Sequence, residues 1–221
     1  MLKRVAVLAA VIGVMGVMVP AASAKNFECR TEFLTGVIDG NVIVPEGAFC
    51  RTLGATITGN VRVEKGAIGF HAHDSTIGGN VESPGPIVFD IRVLDTQVGG
   101  NVHISQTRAG TAGAICRSTI GGNVHWTNNE GFQTIGIGFP TDVCTAGNTI
   151  EGSVVLDNNS GPVNFNLNNN AIAGNVHVMS NTGTEIITRN NIDGVLQCEG
   201  NTPPPVSVAN TAQSFQGQCE N

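Results

Sequence analysis

Apolar residues in this chain fall into columns. A unit of the form Ile-x-Gly-Asn-Val recurs with its glycine at Gly40, Gly59, Gly79, Gly100, Gly122, Gly152, Gly174 and Gly194. Two residues before each glycine stands Ile or Val, from Ile38 to Ile192. Two residues after it stands Val or Leu, from Val42 to Leu196. Four after it come Val44, Val63, Ser83, Ile104, Trp126, Leu156, Val178 and Cys198. Alternation with period two, rich in β-branched residues, predicts a half-buried strand. The steps between glycines are 19, 20, 21, 22, 30, 22 and 20 residues. Self-similarity at that period predicts stacked coils whose apolar columns become ladders inside a narrow solenoid. The glycine is expected on the inward side, where the wall bends or the opposite wall comes close. The following asparagine (Asn41, Asn60, Asn80, Asn101, Asn123, Asn175) is expected to tie a corner to the neighbouring coil.

A second strand is expected in most units, at Ala67–Phe70, Ile87–Ile91, Ala114–Ile115, Val163–Leu167 and Glu185–Ile187, closed by Asn-rich turns such as Asn168-Asn169-Asn170. Two or three short strands per coil describe an all-β, single-stranded parallel β-helix of about eight coils, disulfide-capped. Crossover handedness makes it right-handed.

The start of the chain changes the cellular picture. Lys3 and Arg4, an apolar run from Val5 to Val19, and Ala22-Ser23-Ala24 describe a secretory signal peptide over residues 1–24. The run is short of the ~20 apolar residues of a membrane span. The remaining 25–221 form one β-helix domain, with an N-terminal cap over 25–36, repeats over 37–200 and a C-terminal cap over 201–221. A secreted, extracellular location follows, with no membrane span once the leader is removed. Of 11 Lys and Arg, Lys3 and Arg4 leave with it; nine remain against 17 Asp and Glu, a net charge of −8. An unclustered acidic surface argues against nucleic acid as a partner.

Six cysteines in a secreted chain predict disulfides. Cys29 and Cys50, like Cys198 and Cys219, are 21 residues apart, one coil length; Cys116 and Cys144 bracket the 30-residue unit. Sequential pairing is expected, because residues one coil apart stack within disulfide reach. The terminal bridges, with Phe27, Phe33, Leu34 and Phe215, are expected to close the ends of the solenoid.

Candidate chemistry is sparse. The outward column three residues after the glycine contains Arg62, Glu82, His103, His125 and His177; stacking would set Glu82 beside His103 and His103 beside His125. Such a set has zinc-ligand character, but a solvated polar stripe in which Arg62 and Glu82 pair is the favoured reading, since a bound metal needs a shaped, supported pocket. His71 and His73 share one side of a strand, at what reads as an exposed closing turn. A polysaccharide lyase or hydrolase would need carboxylates and a base in a groove. Asp90, Asp95 and Arg92 are the available residues, with Arg108 nearby, and Asp90 with Arg92 reads as a salt bridge. Thr56, Thr76, Thr119 and Thr149 form a partial outward ladder, explained by β-propensity. The unit from Gly122 to Gly152 is longer than its neighbours, and insertions in solenoids project as loops that bind partners. Phe132 and Phe139 in that segment, with His103 and His125, are the candidate binding residues. No catalytic residue, metal or cofactor is assigned.

From about Cys29 onward the chain resembles a group of uncharacterised secreted bacterial proteins. Their marks are the Ile-x-Gly-Asn-Val repeats and a closing segment here spelled Leu196-Gln197-Cys198-Glu199-Gly200-Asn201-Thr202-Pro203-Pro204-Pro205, followed by Gly217-Gln218-Cys219. In fold alone the coils are similar to bactofilin-like β-helices. The resemblance implies no catalytic residues. The expected function is a secreted, non-catalytic structural or adhesive β-helix at the cell envelope or in the matrix, with polysaccharide or an envelope protein as partner. The alternative is a small β-helix that binds or cleaves polysaccharide through Asp90, Asp95 and Arg92.

Overall fold

The computed structural model describes residues 25–30, 33–107, 112–138, 144–161 and 165–220. The leader, Arg108, Phe139 and part of the strand expected at Val163–Leu167 lie outside the described residues. Among the described residues there is no helix, and so none long and apolar enough to cross a membrane. Parallel strands stack into a β-solenoid of about nine turns. At ~4.8 Å per turn its stack is roughly 40 Å long.

Each coil has three sides. Face 1 holds ten strands, from Asn26–Glu28 through Asn41–Val44, Val102–Ser105 and Val124–Thr127 to Ser214–Gly217. Face 2 holds strands of three to five residues, among them Gly69–His73, Asp90–Leu94, Ala112–Cys116, Phe132–Gly136 and Glu185–Thr188. Face 3 is built of two-residue strands such as Thr76–Ile77, Gln97–Val98 and Thr119–Ile120. The long strands Phe33–Ile38 and Phe49–Ile57 run across faces 2 and 3. The second strand of several coils sits later than expected: Asp90–Leu94 rather than Ile87–Ile91, Gly69–His73 rather than Ala67–Phe70. The earlier positions, 67–68 and 87–89, lie outside regular strand.

The three apolar columns are the core. Ile57, Ile77 and Ile120 on face 3 and Val61, Val102 and Val154 on face 1 are completely buried. So is the third column, including Ser83 and Trp126. Trp126 fits because Gly113 faces it across the interior, and a Cβ there would overlap the indole. The repeat glycine has a different neighbour from the one expected. A Cβ on Gly59 would lie 2.6 Å from the Gly40 carbonyl oxygen and 2.5 Å from Asn41 Oδ1. The coil beneath, not the opposite wall, excludes a side chain.

Corners are held by hydrogen-bonded ladders. At the corner between faces 3 and 1, each Asn side chain accepts the amide of the Asn one coil later: Asn60 N to Asn41 Oδ1 at 2.9 Å, and Asn80 to Asn60, Asn101 to Asn80 and Asn123 to Asn101 at 2.8 Å. This is the expected corner tie. Two further ladders are buried. Between faces 1 and 2 run Thr107, Asn129, Asn159, Asn181 and Asn201; between faces 2 and 3 run Ser75, Thr96, Ser118, Asn148, Asn170, Asn190 and Asn210. In both, the backbone N–H donates to the side chain of the following coil. The residue before every rung but Asn148 turns the chain through positive φ, as at Asp95 (51°), Asn128 (57°) and Asn169 (60°). Asp and Asn tolerate that region better than other non-glycine residues.

Three disulfides pair sequentially, Cys29–Cys50, Cys116–Cys144 and Cys198–Cys219, with Cα separations of 5.6, 5.4 and 5.2 Å. None joins register partners: Cys50 stacks on Phe70, Cys116 on Leu94, and Cys198 on Gly217. Cys29, beside face 1, reaches Cys50 on face 2. Of the expected end-closing residues, Leu34 and Phe215 pack on the core, whereas Phe27 and Phe33 are exposed. Strand alternation decides this for Phe33, since its neighbour Leu34 takes the inward place.

Candidate functional site

The most distinctive outer surface lies on face 2, toward the N-terminal end. Register stacks Phe33, Arg51, His71 and Arg92 in one outward column and Leu53 and His73 in the next. These six residues line an open concavity of about 260 Å³. Phe33 (65% exposed) and Leu53 (51%) leave apolar surface on its rim. The Arg51 guanidinium lies 5.5 Å from the Phe33 ring centre and 4.9 Å from that of Phe49, a paired cation–π seat. Arg51 has no carboxylate partner among the described residues.

Asp90 lies at the base of this surface, 1% exposed. One carboxylate oxygen is bonded to His71 Nε2, and the other accepts from Arg92 Nε at 2.7 Å. The Asp90–Arg92 salt bridge expected from their spacing is therefore present, with His71 as a third member. His71 is buried rather than exposed at a turn, because its strand occupies the middle of face 2, with the Phe49 ring 4.7 Å away edge-on. The His73 pKa is lowered, first by burial and then by His71. Asp95 lies apart at the next corner, where Arg117 Nε donates to it at 2.6 Å and holds its pKa down.

Beyond Arg92, one coil further along the stack, the sheet meets the return of the long unit. Its extra residues follow Gly136 and return at Cys144, with the Gly138 N–H donating to the Cys144 carbonyl at 3.3 Å. Cys144 packs with Leu94, Ala114 and Cys116 in a small apolar cluster on the outside of face 2. Ala114 stacks on Arg92 and Leu94 on His73, so this cluster adjoins the concavity on the side of the next coil. The long unit is thus tied back to the sheet at Cys144.

The residues singled out from sequence are not brought together. His103 and His125 do stack as neighbours, ring centres 5.7 Å apart, but on face 1. Burial and His103 lower the His125 pKa. Glu82 is next in the column and approaches Arg62 at 4.0 Å. No group of three or more His, Cys, Asp or Glu converges in metal-binding fashion among the described residues. Phe132 is half-buried in the strand Phe132–Gly136, before the excursion rather than on a projecting loop. Phe139 is outside the described residues. The exposed threonine column exists on face 3, where Gln97 and Ala171 interrupt it. Phe33, Arg51 and Leu53 were missed because the columns were aligned only on the glycine motif, which registers faces 3 and 1.

A second unusual place is internal. Gln133, Phe165 and Glu185 stack on the inward side of face 2. Both polar side-chain atoms of Gln133, and Oε2 of Glu185, are buried without a hydrogen bond. Burial raises the Glu185 pKa from an ordinary 4.5 to about 7. The unfolded chain ionises this carboxyl first, so stability should fall as pH rises from about 4.5 through about 7 and then level off. The loss should be about 3 kcal/mol. Glu185→Gln should remove that slope and raise the urea midpoint at pH 8 while changing it little at pH 4. Equal pH dependence in both proteins would show that Glu185 does not carry it.

No protein-family model, curated protein or solved structure matches this chain, and its functional reading rests on the geometry described above.

Proposed function

We propose that this protein is a secreted, non-catalytic β-solenoid with a structural or adhesive role at the cell envelope or in the extracellular matrix. The carrying observation is the state of Asp90. The carboxylate at the concavity is engaged on both oxygens, by His71 and Arg92, and is sealed from solvent. A general acid or base needs an accessible group within reach of substrate. What the surface presents instead is a seated guanidinium and exposed Phe33 and Leu53, groups that hold a partner. Three buried disulfides suit an oxidising compartment. The apparent leader and the resemblance to secreted bacterial proteins point the same way.

Fractionation of cells producing a tagged full-length chain tests this reading. The protein should sediment with envelope or matrix material and come off with high salt or detergent. Protein found wholly free in the medium, binding no wall or matrix polymer, would overturn it.

A further inference from the structure

We infer that the concavity on face 2 is a binding site for a linear, carboxylate-bearing polysaccharide, which Arg51 and Arg92 grip at two of its charges. The inference deepens the adhesive reading and rests on it. Its first support is pre-organisation. Arg51 is held between the Phe33 and Phe49 rings, so its planar fork is placed with no carboxylate among the described residues to occupy it. A guanidinium in that state matches a carboxylate in bidentate fashion. Arg92 is fixed by a different device. Its Nε is bonded to buried Asp90, which leaves the terminal nitrogens as the donors nearest the concavity.

The second support is spacing. Arg51, His71 and Arg92 are consecutive rungs of one column. The two guanidinium-bearing rungs are thus two coils apart, roughly 10 Å along the axis. A polymer lying along the stack would meet two cations, two coils apart. A folded partner of arbitrary shape has no reason to repeat its charge at that interval.

The third support is the mixed character of the lining. The exposed Phe33 ring and Leu53 give apolar faces on which the C–H surface of a sugar can rest, beside cations for its acid group. Asp90 is paired with Arg92 and Asp95 with Arg117, and Asp90 is buried, so the carboxylates closest to the column are screened from the ligand. Asp74, at the corner beyond His73, remains as a carboxylate at the margin. This local cationic strip lies on a chain of net charge −6, so nonspecific attraction of polyanions to the whole surface does not account for it.

The test uses purified full-length protein in affinity electrophoresis and calorimetry. The polymers are polygalacturonate, its fully methyl-esterified form, a sulfated glucan and poly-glutamate. Polygalacturonate should retard the protein, less so as salt is raised, and the other three should bind clearly more weakly. Arg51→Ala should weaken binding by roughly ten- to a hundredfold. Arg51→Lys should recover part of it, and His103→Ala on face 1 should change nothing. Circular dichroism of Arg51→Ala confirms the fold. Equal binding to the esterified polymer would remove the carboxylate from the inference. Equal binding to poly-glutamate would remove the sugar, and equal binding to the sulfated glucan would reduce the site to a general anion patch. Unchanged affinity in Arg51→Ala, or no retardation by polygalacturonate, would overturn the site. Arg51→Ala protein that still sediments with the envelope would separate the two readings, leaving the adhesive role standing without this site.

Discussion

Asn159→Ala should destabilise the protein by about 3–5 kcal/mol, among the largest losses of any single polar substitution in the chain. The side chain is buried and serves three coils. Its Nδ2 donates to the Trp126 carbonyl at 2.8 Å and to Asn181 Oδ1 at 3.0 Å, and its Oδ1 accepts from the Asn129 backbone amide at 3.0 Å. Alanine leaves a buried N–H and a buried C=O facing a hole that offers neither a partner. Asn101→Ala makes the matching change in the exposed ladder, where the Asn123 amide loses a 2.8 Å bond but can turn to water. That variant should lose about 1 kcal/mol. Urea unfolding of the two side by side is the measurement. Equal losses would mean that burial of the inner ladder adds nothing to its bonds.

Gly122→Ala should cost about 2–4 kcal/mol for a single added methyl. Its Cβ would fall 2.5 Å from Asn101 Oδ1 and 2.9 Å from the Gly100 carbonyl carbon. The second of these is backbone, so two coils must separate and the bonds on either side of the corner lengthen together. Gly54 makes the contrast, having positive φ (62°) and no atom within 4 Å of an added Cβ. Its corner column elsewhere carries Asp74, Asp95 and Asn169 in the same conformation. Gly54→Asn should therefore be nearly neutral. Thermal melts would reveal the difference, and a tolerant Gly122 would show that the coils are less closely stacked than described.

The solenoid was legible in the chain because one motif registers two of its faces. Ile, Val and the third apolar column are buried where the period-two pattern put them, and the asparagine after each glycine does tie the corner. Face 2 was legible only in part. It joins faces 1 and 3 through turns of changing length, so its columns cannot be aligned on the glycine. Phe33 was read as an end-closing residue and His71 as exposed for that reason. Glu185-Ile186-Ile187 shows the same difficulty locally: one apolar residue lies on either parity, and the structure turns Ile187 and Glu185 inward. The buried ladders were half visible. Asn-rich turns announced corners, but a run such as Asn168-Asn169-Asn170 does not reveal that only its last member enters the interior, because that depends on the left-handed turn at Asn169. The long unit was visible as a length anomaly, yet a count of residues does not reveal that it returns to pack Cys144 with Leu94, Ala114 and Cys116.

The inner asparagine ladders have a direction. Each buried corner amide donates forward, to a side chain that belongs to the coil made next. A chain that leaves the ribosome or crosses a membrane N-terminus first therefore cannot complete a corner when it forms; it waits for about twenty more residues. Assembly runs one coil behind emergence. A chain cut short anywhere in the repeats would carry an open donor pair at its last corner. At the natural terminus of the ladder between faces 1 and 2 the succession ends with a change of residue. Gln218 Oε1 accepts the Asn201 amide at 2.8 Å, and its Nε2 returns a bond to the Asn201 carbonyl at 2.9 Å. The longer side chain folds back and asks nothing of a further coil. Cys219, bonded to Cys198, follows immediately, so the residue that stops the ladder and the bridge that secures its last corner arrive together.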